Sequence, residues 1–415
     1  MTFKNYSYTV VDRFLKYISF DTQSDDFSET SPSTSKQKIL GEHLVKELLE
    51  LGLEDVKMDK NAYVMATLPA NTDKNVPVIG FISHLDTSPA NSGKDVKAVF
   101  HENYQGGDIE LENENQIVEV TKEQDYDKLI GCDLITTDGS TLLGGDDKAG
   151  IAEIMDAINY LKQNPEIKHG TIKIAFTPDE EIGKGSDYFD VEKFGAKFAY
   201  TVDGGIPGDA GIENFSAEKV IITFHGKAIH PGYAKNILIN STKIASSFIE
   251  SLPKDKMSPE TTEDKEGFVH VVDIKGTEES STIIMINRDF DTDKLAHYRD
   301  LLKKLCEKAV NKFPGSSFEM KHELQYENTK PILDNHPQLI EYIVEAMKRI
   351  AVDPVIPPTR GGTDGAHLTY KGLPCPNIFA GERNFHSKTE FIVVEDMKLA
   401  VQNIIEIIKL WEENT

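Results

Sequence analysis

Residues 78–82, Val-Ile-Gly-Phe-Ile, form an unbroken apolar run that ends in Ser83-His84-Leu85-Asp86-Thr87. A strand with no polar face belongs in the middle of a sheet covered on both sides, which is the signature of a layered α/β domain. The flanking pattern agrees. Helical spacing marks 10–18, 40–49 and 149–161, and short apolar strands fall at 56–58, 63–68, 172–176 and 198–202. Strand and helix alternate, so this half reads as an α/β sandwich on a largely parallel or mixed sheet. The polar segment 21–35 reads as a loop.

The rhythm changes after Gly204-Gly205-Ile206-Pro207-Gly208. A strand at 220–224, a helix at 242–252, strands at 268–274 and 281–287, a helix at 294–312 and a strand at 317–322 then follow. That order, β-α-β-β-α-β, describes a separate α+β domain. Helices at 336–350 and 395–411 around a strand at 377–380 restore the first pattern. The expected plan is a discontinuous domain of 1–214 and 326–415, interrupted by an inserted domain of 215–325.

Charge narrows the partners. Against 45 basic residues stand 69 acidic ones, a net charge of −24, which disfavours nucleic acid and anionic membranes. No apolar run approaches the about 20 residues of a membrane span. Residues 1–20 mix Lys4, Asp12, Arg13 and Lys16 into an amphipathic pattern, unlike a signal peptide. Cys132, Cys306 and Cys375 are odd in number and lack any CxxC spacing, as suits a reduced, cytoplasmic setting.

Acids and histidines gather where the expected strands end. His84 and Asp86 follow 78–82, Asp179-Glu180-Glu181 follows 172–176, and Asp203 follows 198–202. His386 follows 377–380, and Asp146-Asp147 opens the helix at 149–161. In open α/β sheets, ligands bind outside the carboxyl ends of the strands. Singly, each has a plainer explanation: a capping acid, an acid favoured by a helix dipole, a solvated loop. Together, two imidazoles and several carboxylates suit zinc, and two ions sharing one carboxylate. Carboxylates packed this closely repel and call for a cation or a raised pKa.

These stretches, with Leu143-Gly144-Gly145-Asp146-Asp147-Lys148-Ala149-Gly150, Phe176-Thr177-Pro178-Asp179-Glu180-Glu181-Ile182-Gly183, Val202-Asp203-Gly204-Gly205, Arg360-Gly361-Gly362-Thr363-Asp364-Gly365-Ala366 and Asn384-Phe385-His386-Ser387, run in order through nearly the whole chain. They resemble the di-zinc metallopeptidase family of tripeptide aminopeptidases, aminoacylases and glutamate carboxypeptidase-like enzymes. The Asp-Glu-Glu and Arg-Gly-Gly-Thr-Asp-Gly forms set the chain beside the tripeptide aminopeptidases. The resemblance implies a zinc-peptidase-like α/β/α sandwich with an α+β lid and two Zn2+ per subunit. By motif, His84 and Asp203 hold one zinc, Glu181 and His386 the other, and Asp146, two residues before Lys148, bridges them. Glu180 is then the general base and Asp86 orients His84. His230, in Gly226-Lys227-Ala228-Ile229-His230-Pro231-Gly232, resembles the lid histidine that meets the oxyanion, from its own or a partner subunit. Gly145 stands where many relatives carry Ala, a small-for-small exchange.

Arg360 sits in a Gly-rich loop, where a guanidinium suits a bidentate grip on a peptide's terminal carboxylate. Asp179 is assigned to the substrate ammonium, and Arg288 to a structural pair. The expected protein is a cytoplasmic zinc aminopeptidase, monomer or homodimer, that releases the N-terminal residue of tripeptides. The alternatives are a dipeptidase or N-acyl amino acid deacylase on the same scaffold, or a catalytically inactive metal-binding scaffold protein. An unligated Glu180 beside Glu181 favours catalysis, because a purely structural site has no use for a base.

Overall fold

The computed structural model describes Phe3, residues 5–113 and residues 115–415. The chain forms two compact units. Met1–Ile212, Pro331–Pro357 and Thr363–Thr415 make the first, and Glu213–Lys330 with Pro358–Gly362 the second. The stretch 358–362, which includes Arg360, was expected in the large domain. A short ladder explains its placement: Phe215 N donates to Thr359 O (3.1 Å) and Thr359 N to Glu213 O (2.9 Å).

Among the described residues the first unit contains a seven-stranded mixed sheet. Its spatial order is Glu54–Met58, Val64–Leu68, Ile172–Thr177, Ile79–His84, Phe198–Val202, Asn377–Ile378 and Ala210–Gly211. Ile79–His84 is central and parallel to both neighbours, with His84 opposite Thr177 and Ile82 opposite Thr201. Alternation sends Ile79 and Phe81 to one face, into a core with Ile151, Ile154 and Met155 of helix Gly145–Gln163 and Ile404 and Ile408 of helix Val394–Glu413. Ile82 points the other way, into a cluster with Phe189, Phe194, Leu368 and Leu373. Both faces are covered, as a strand with no polar side requires. At about 25 cal/mol per Å², such fully buried Ile and Phe side chains contribute roughly 1.5–3 kcal/mol each.

A second, four-stranded antiparallel sheet of Glu382–Arg383, Phe391–Val393, Leu134–Thr137 and Ala98–His101 was not foreseen. It carries Glu390 and Glu382 towards the acidic cluster described below.

The second unit follows the expected β-α-β-β-α-β order, with strands arranged Phe268–Gly276, Ser280–Asp289, Ser216–His225, Ser317–Tyr326. From Glu218 onwards, buried and half-buried residues alternate along Ser216–His225. Val220, Ile222 and Phe224 thus pack on Ile244 and Phe248 of helix Ser241–Glu250 and on Leu302 and Cys306 of helix Thr292–Asn311.

Candidate active site

Parallel strands put their carboxyl ends on one edge, so the ladder registers decide which residues meet. The ends of Ile79–His84, Ile172–Thr177 and Phe198–Val202 bring His84, the 179–181 turn and Asp203 together. Helix Gly145–Gln163 closes on that edge because residue 150 is Gly: a Cβ there would collide with the Val202 carbonyl, the Asp147 carboxylate and Ser83 Oγ.

Asp146 is the centre. Its Oδ1 lies 2.8 Å from His84 Nε2 and its Oδ2 3.0 Å from His386 Nε2. Asp203 Oδ1 stands 3.7 Å from His84 Nε2, and Glu181 Oε2 2.7 Å from His386 Nε2. Two donor sets therefore share one carboxylate, each oxygen facing a different imidazole. Among the described residues, three groups bring candidate ligand atoms within 4.8 Å of one another: His84, Asp146 and Glu181; His84, Asp147 and Asp203; Asp146, Asp203 and Glu382. Tetrahedral donors at zinc distances lie about 3.3 Å apart, so contacts of this length accommodate a cation after small shifts. Glu181 Oε1 is buried without a hydrogen-bond partner, as an oxygen waiting for a cation would be.

Several contacts fix this geometry. His84 Nδ1 lies 3.0 Å from the Asp86 carbonyl oxygen, which can only accept, so Nδ1 carries the hydrogen and Nε2 faces Asp146. The Asp86 carboxylate is further away at 3.4 Å. It instead accepts from Glu180 N (3.0 Å) and Glu181 N (3.2 Å). Asp86 thus sets both His84 and the turn bearing the two glutamates. The Asp147 carboxylate accepts from His84 N (3.0 Å) and Gly150 N (3.1 Å). Glu390, buried, accepts from Leu143 N (2.7 Å), Gly144 N (2.8 Å) and Asp146 N (3.1 Å).

The electrostatics of the cluster favour positive charge. Burial, with Asp203, Asp364 and Glu181 nearby, holds Glu180 well above the usual carboxylate range. Burial and the Asp146 carboxylate push Glu181 up to about 8. Hydrogen bonds to Asp146 and Glu181 lift His386 to about 10. Burial alone would lower His84, but Asp146, Asp203 and Asp86 outweigh it and raise it well above an ordinary histidine. Cations displace protons from ligands of this kind.

Other expectations need revision. The Asp179 carboxylate accepts from Ser33 N (2.7 Å), Ser33 Oγ (2.5 Å) and Gln37 Nε2 (2.6 Å). It clamps the 21–35 loop and is not free for an ammonium group. Arg360 donates to the carbonyls of Asp264 (2.8 Å) and Glu266 (3.1 Å), and to Thr262 Oγ1 (3.0 Å), all in the second unit. Both terminal nitrogens are occupied. Arg288 Nη1 donates to the Arg360 carbonyl (3.2 Å), a structural task as expected. His230 lies in the second unit and is exposed; its Nδ1 accepts from Gly232 N (3.1 Å). Sequence reasoning gave no role to Glu382, Asp364 or Glu390. Asp364 lines a small cavity with His84, Glu180 and Asp203, and Thr177 Oγ1 donates to it at 2.7 Å. Only its place in the Arg-Gly-Gly-Thr-Asp-Gly stretch hinted at this.

Known proteins resemble this chain in sequence and fold. Residues 138–410 match the model of peptidase family M20/M25/M40. Peptidase T of Clostridium acetobutylicum is 49% identical over 407 residues, covering 97% of this chain and 99% of that protein. The crystal structure of aminopeptidase PepT from Bacillus cereus superposes with a TM-score of 0.75 at 24% identity, covering 97% of this chain and 98% of that one. A tripeptidase from Staphylococcus aureus gives a TM-score of 0.76 at 21% identity, with the same coverage. Likeness over nearly all of both chains makes this protein a member of peptidase family M20/M25/M40, alongside the enzymes called peptidase T.

Proposed function

We propose that this chain is an aminopeptidase that releases the N-terminal residue of tripeptides, with two zinc ions at the cluster. The observation that carries this reading is Asp146, whose two oxygens face His84 and His386, with Asp203 and Glu181 completing the two sets. When bound, such ions acidify water and polarise the scissile carbonyl. His84, Asp203, Glu181 and His386 would hold them, with Asp146 shared between the two sets.

Glu180 has the other half of the chemistry. Its Oε2 lies 4.0 Å from His84 Nε2, near the cluster but outside both donor sets. From there it takes the proton of the attacking water and returns it to the leaving amine. General bases of this kind contribute about 10²–10⁴-fold. Asp86 keeps Glu180 and Glu181 at fixed separation through their backbone N–H groups. His230 is assigned to the carbonyl oxygen as it gains charge. Arg360 meets a terminal carboxylate only by exchanging its bonds to Thr262, Asp264 and Glu266, so its grip on substrate implies a rearranged 262–266 turn. Three free thiols support a cytoplasmic place, and no helix of the described residues is long and apolar enough to cross a membrane.

The test is hydrolysis of matched di-, tri- and tetrapeptides by protein of measured metal content. Tripeptides should be cleaved fastest, with two ions per chain. A metal-loaded protein that cleaves none of them, or prefers dipeptides, overturns the reading. Glu180→Gln should lower kcat by about 10²–10⁴ at unchanged metal content; loss of metal instead would make Glu180 a ligand. Equal rates for C-terminally amidated and free tripeptides would remove Arg360 from the substrate site.

A further inference from the structure

Glu382 lies outside the five residues assigned to the ions. It opens the short strand Glu382–Arg383, paired to Ile392 at the edge of the four-stranded sheet. Its side chain is 5% exposed and its Oε1 is buried with no hydrogen-bond partner. The carboxylate forms one cluster with Asp146 and Asp203, candidate ligand oxygens lying within 4.8 Å of one another. The adjacent Arg383 is paired with other acids: its Nη2 lies 2.6 Å from Asp125 Oδ2 and 2.8 Å from Asp396 Oδ2, while its Nε and Nη1 are buried with no hydrogen-bond partner. A buried, unpartnered carboxylate facing two others is unfavourable unless a cation stands between them.

We propose that Glu382 supplies a further oxygen ligand to the cation held by His84 and Asp203. The inference rests on the two-ion reading above. It makes the halves of the site unequal. His84, Asp146, Asp203 and Glu382 give one imidazole and three carboxylates, whereas His386, Asp146 and Glu181 give one imidazole and two. Oxygen-rich sets with more donors suit manganese, and leaner sets with imidazole suit four-coordinate zinc. Mn2+ therefore competes with Zn2+ better at the His84 half than at the His386 half.

The experiment titrates chelator-stripped full-length protein with Zn2+ and, separately, Mn2+, counting bound ions by elemental analysis and measuring affinity by competition with a fluorescent chelator. The wild type should bind Mn2+ at one half-site at least tenfold more tightly than at the other. Glu382→Gln keeps the volume and removes the ligand charge; it should weaken the stronger Mn2+ site at least tenfold and leave the weaker one unchanged. Equal Mn2+ affinity in wild type and Glu382→Gln overturns the proposal. The melting temperature of the metal-free protein separates a structural role: Gln in place of a bare carboxylate should hold or raise it, and a fall would overturn the ligand assignment. A wild type that binds a single ion defeats the two-ion reading instead. In that case weakening of the one ion by Glu382→Gln still supports the ligand role, and no change overturns it.

Discussion

Replacing Asp179 separates a clamp from a substrate contact. The residue is buried, at 1% exposure, with φ of +61°, a left-handed conformation that Asn and Asp tolerate and Ala does not. Its carboxylate takes two bonds from Ser33 and one from Gln37. A hydrogen bond to a charged group is worth about 1.5–3 kcal/mol, and an orphaned buried donor costs about 1–3 kcal/mol. Asp179→Ala loses all three bonds and adds about 1–2 kcal/mol for the left-handed backbone. Shared partners make these losses sub-additive, so the expected destabilisation is about 4–6 kcal/mol. Asp179→Asn keeps an acceptor and the backbone preference, and should cost about 1–2 kcal/mol. Urea unfolding of the metal-free variants reads the difference, and tripeptide KM for Asp179→Asn should stay within about twofold. A KM raised tenfold at an unchanged unfolding midpoint would refute the clamp and return Asp179 to the substrate ammonium.

Three further outcomes follow from neighbouring contacts. Glu390→Gln turns an amide donor onto one of the N–H groups of Leu143, Gly144 or Asp146, which should cost about 2–3 kcal/mol and weaken metal binding at least tenfold; unaltered titration and unfolding curves would show that the 143–146 loop holds itself. Gly150→Ala drives a methyl into the Val202 carbonyl and should cost about 3 kcal/mol or prevent folding, as read by thermal denaturation; a wild-type melting temperature would rule out the close approach. Glu181 at about 8, against 4.5 ordinarily, and His386 at about 10, against 6.5, both bind protons more tightly in the folded state. Their stabilisation is complete below the ordinary values and gone above the raised ones, so the stability of metal-free protein should fall from pH 5 towards pH 10. Ions compete with those protons, so the gap in stability between loaded and stripped protein should widen over the same range; denaturation at three pH values checks both, and a rising metal-free curve would contradict them.

The strand ends were legible because a parallel sheet converts local patterns into a shared edge. The run 78–82 marked the central strand, although the ladder continues through Ser83 to His84 opposite Thr177, two polar residues that no apolar pattern extends to. The 377–380 segment pairs as a strand only at Asn377–Ile378, since Ala380 N and Gly381 N turn to the carbonyls of Gly204 and Gly205. Glu390 gave no signal in the sequence, because its partners lie about 245 residues away. Glu382 gave no signal for a similar reason: its two-residue strand has no period to read, and its neighbours meet only through tertiary pairing. Arg360 looked exposed to substrate because its Gly-rich surroundings were visible and the carbonyls that engage it were not.

The Asp179-Glu180-Glu181 run holds three like charges in three consecutive residues, and the turn itself distributes them. Glu180–Ile182 is a short 3-10 turn, in which successive side chains diverge by about 120°. Neighbouring glutamates on such a turn cannot both close on one ion. Glu181 accordingly points to His386 at 2.7 Å, while Glu180 lies 4.0 Å from His84. Asp179, the third, is held from behind by hydrogen bonds from Ser33 and Gln37. Its left-handed backbone presents the N–H groups of Glu180 and Glu181 to the two oxygens of Asp86. One buried carboxylate therefore fixes the distance between the proposed base and the proposed ligand. It follows that Asp86→Asn, which can accept through one oxygen only, should disturb proton transfer and metal affinity together, whereas Glu180→Gln should disturb proton transfer alone.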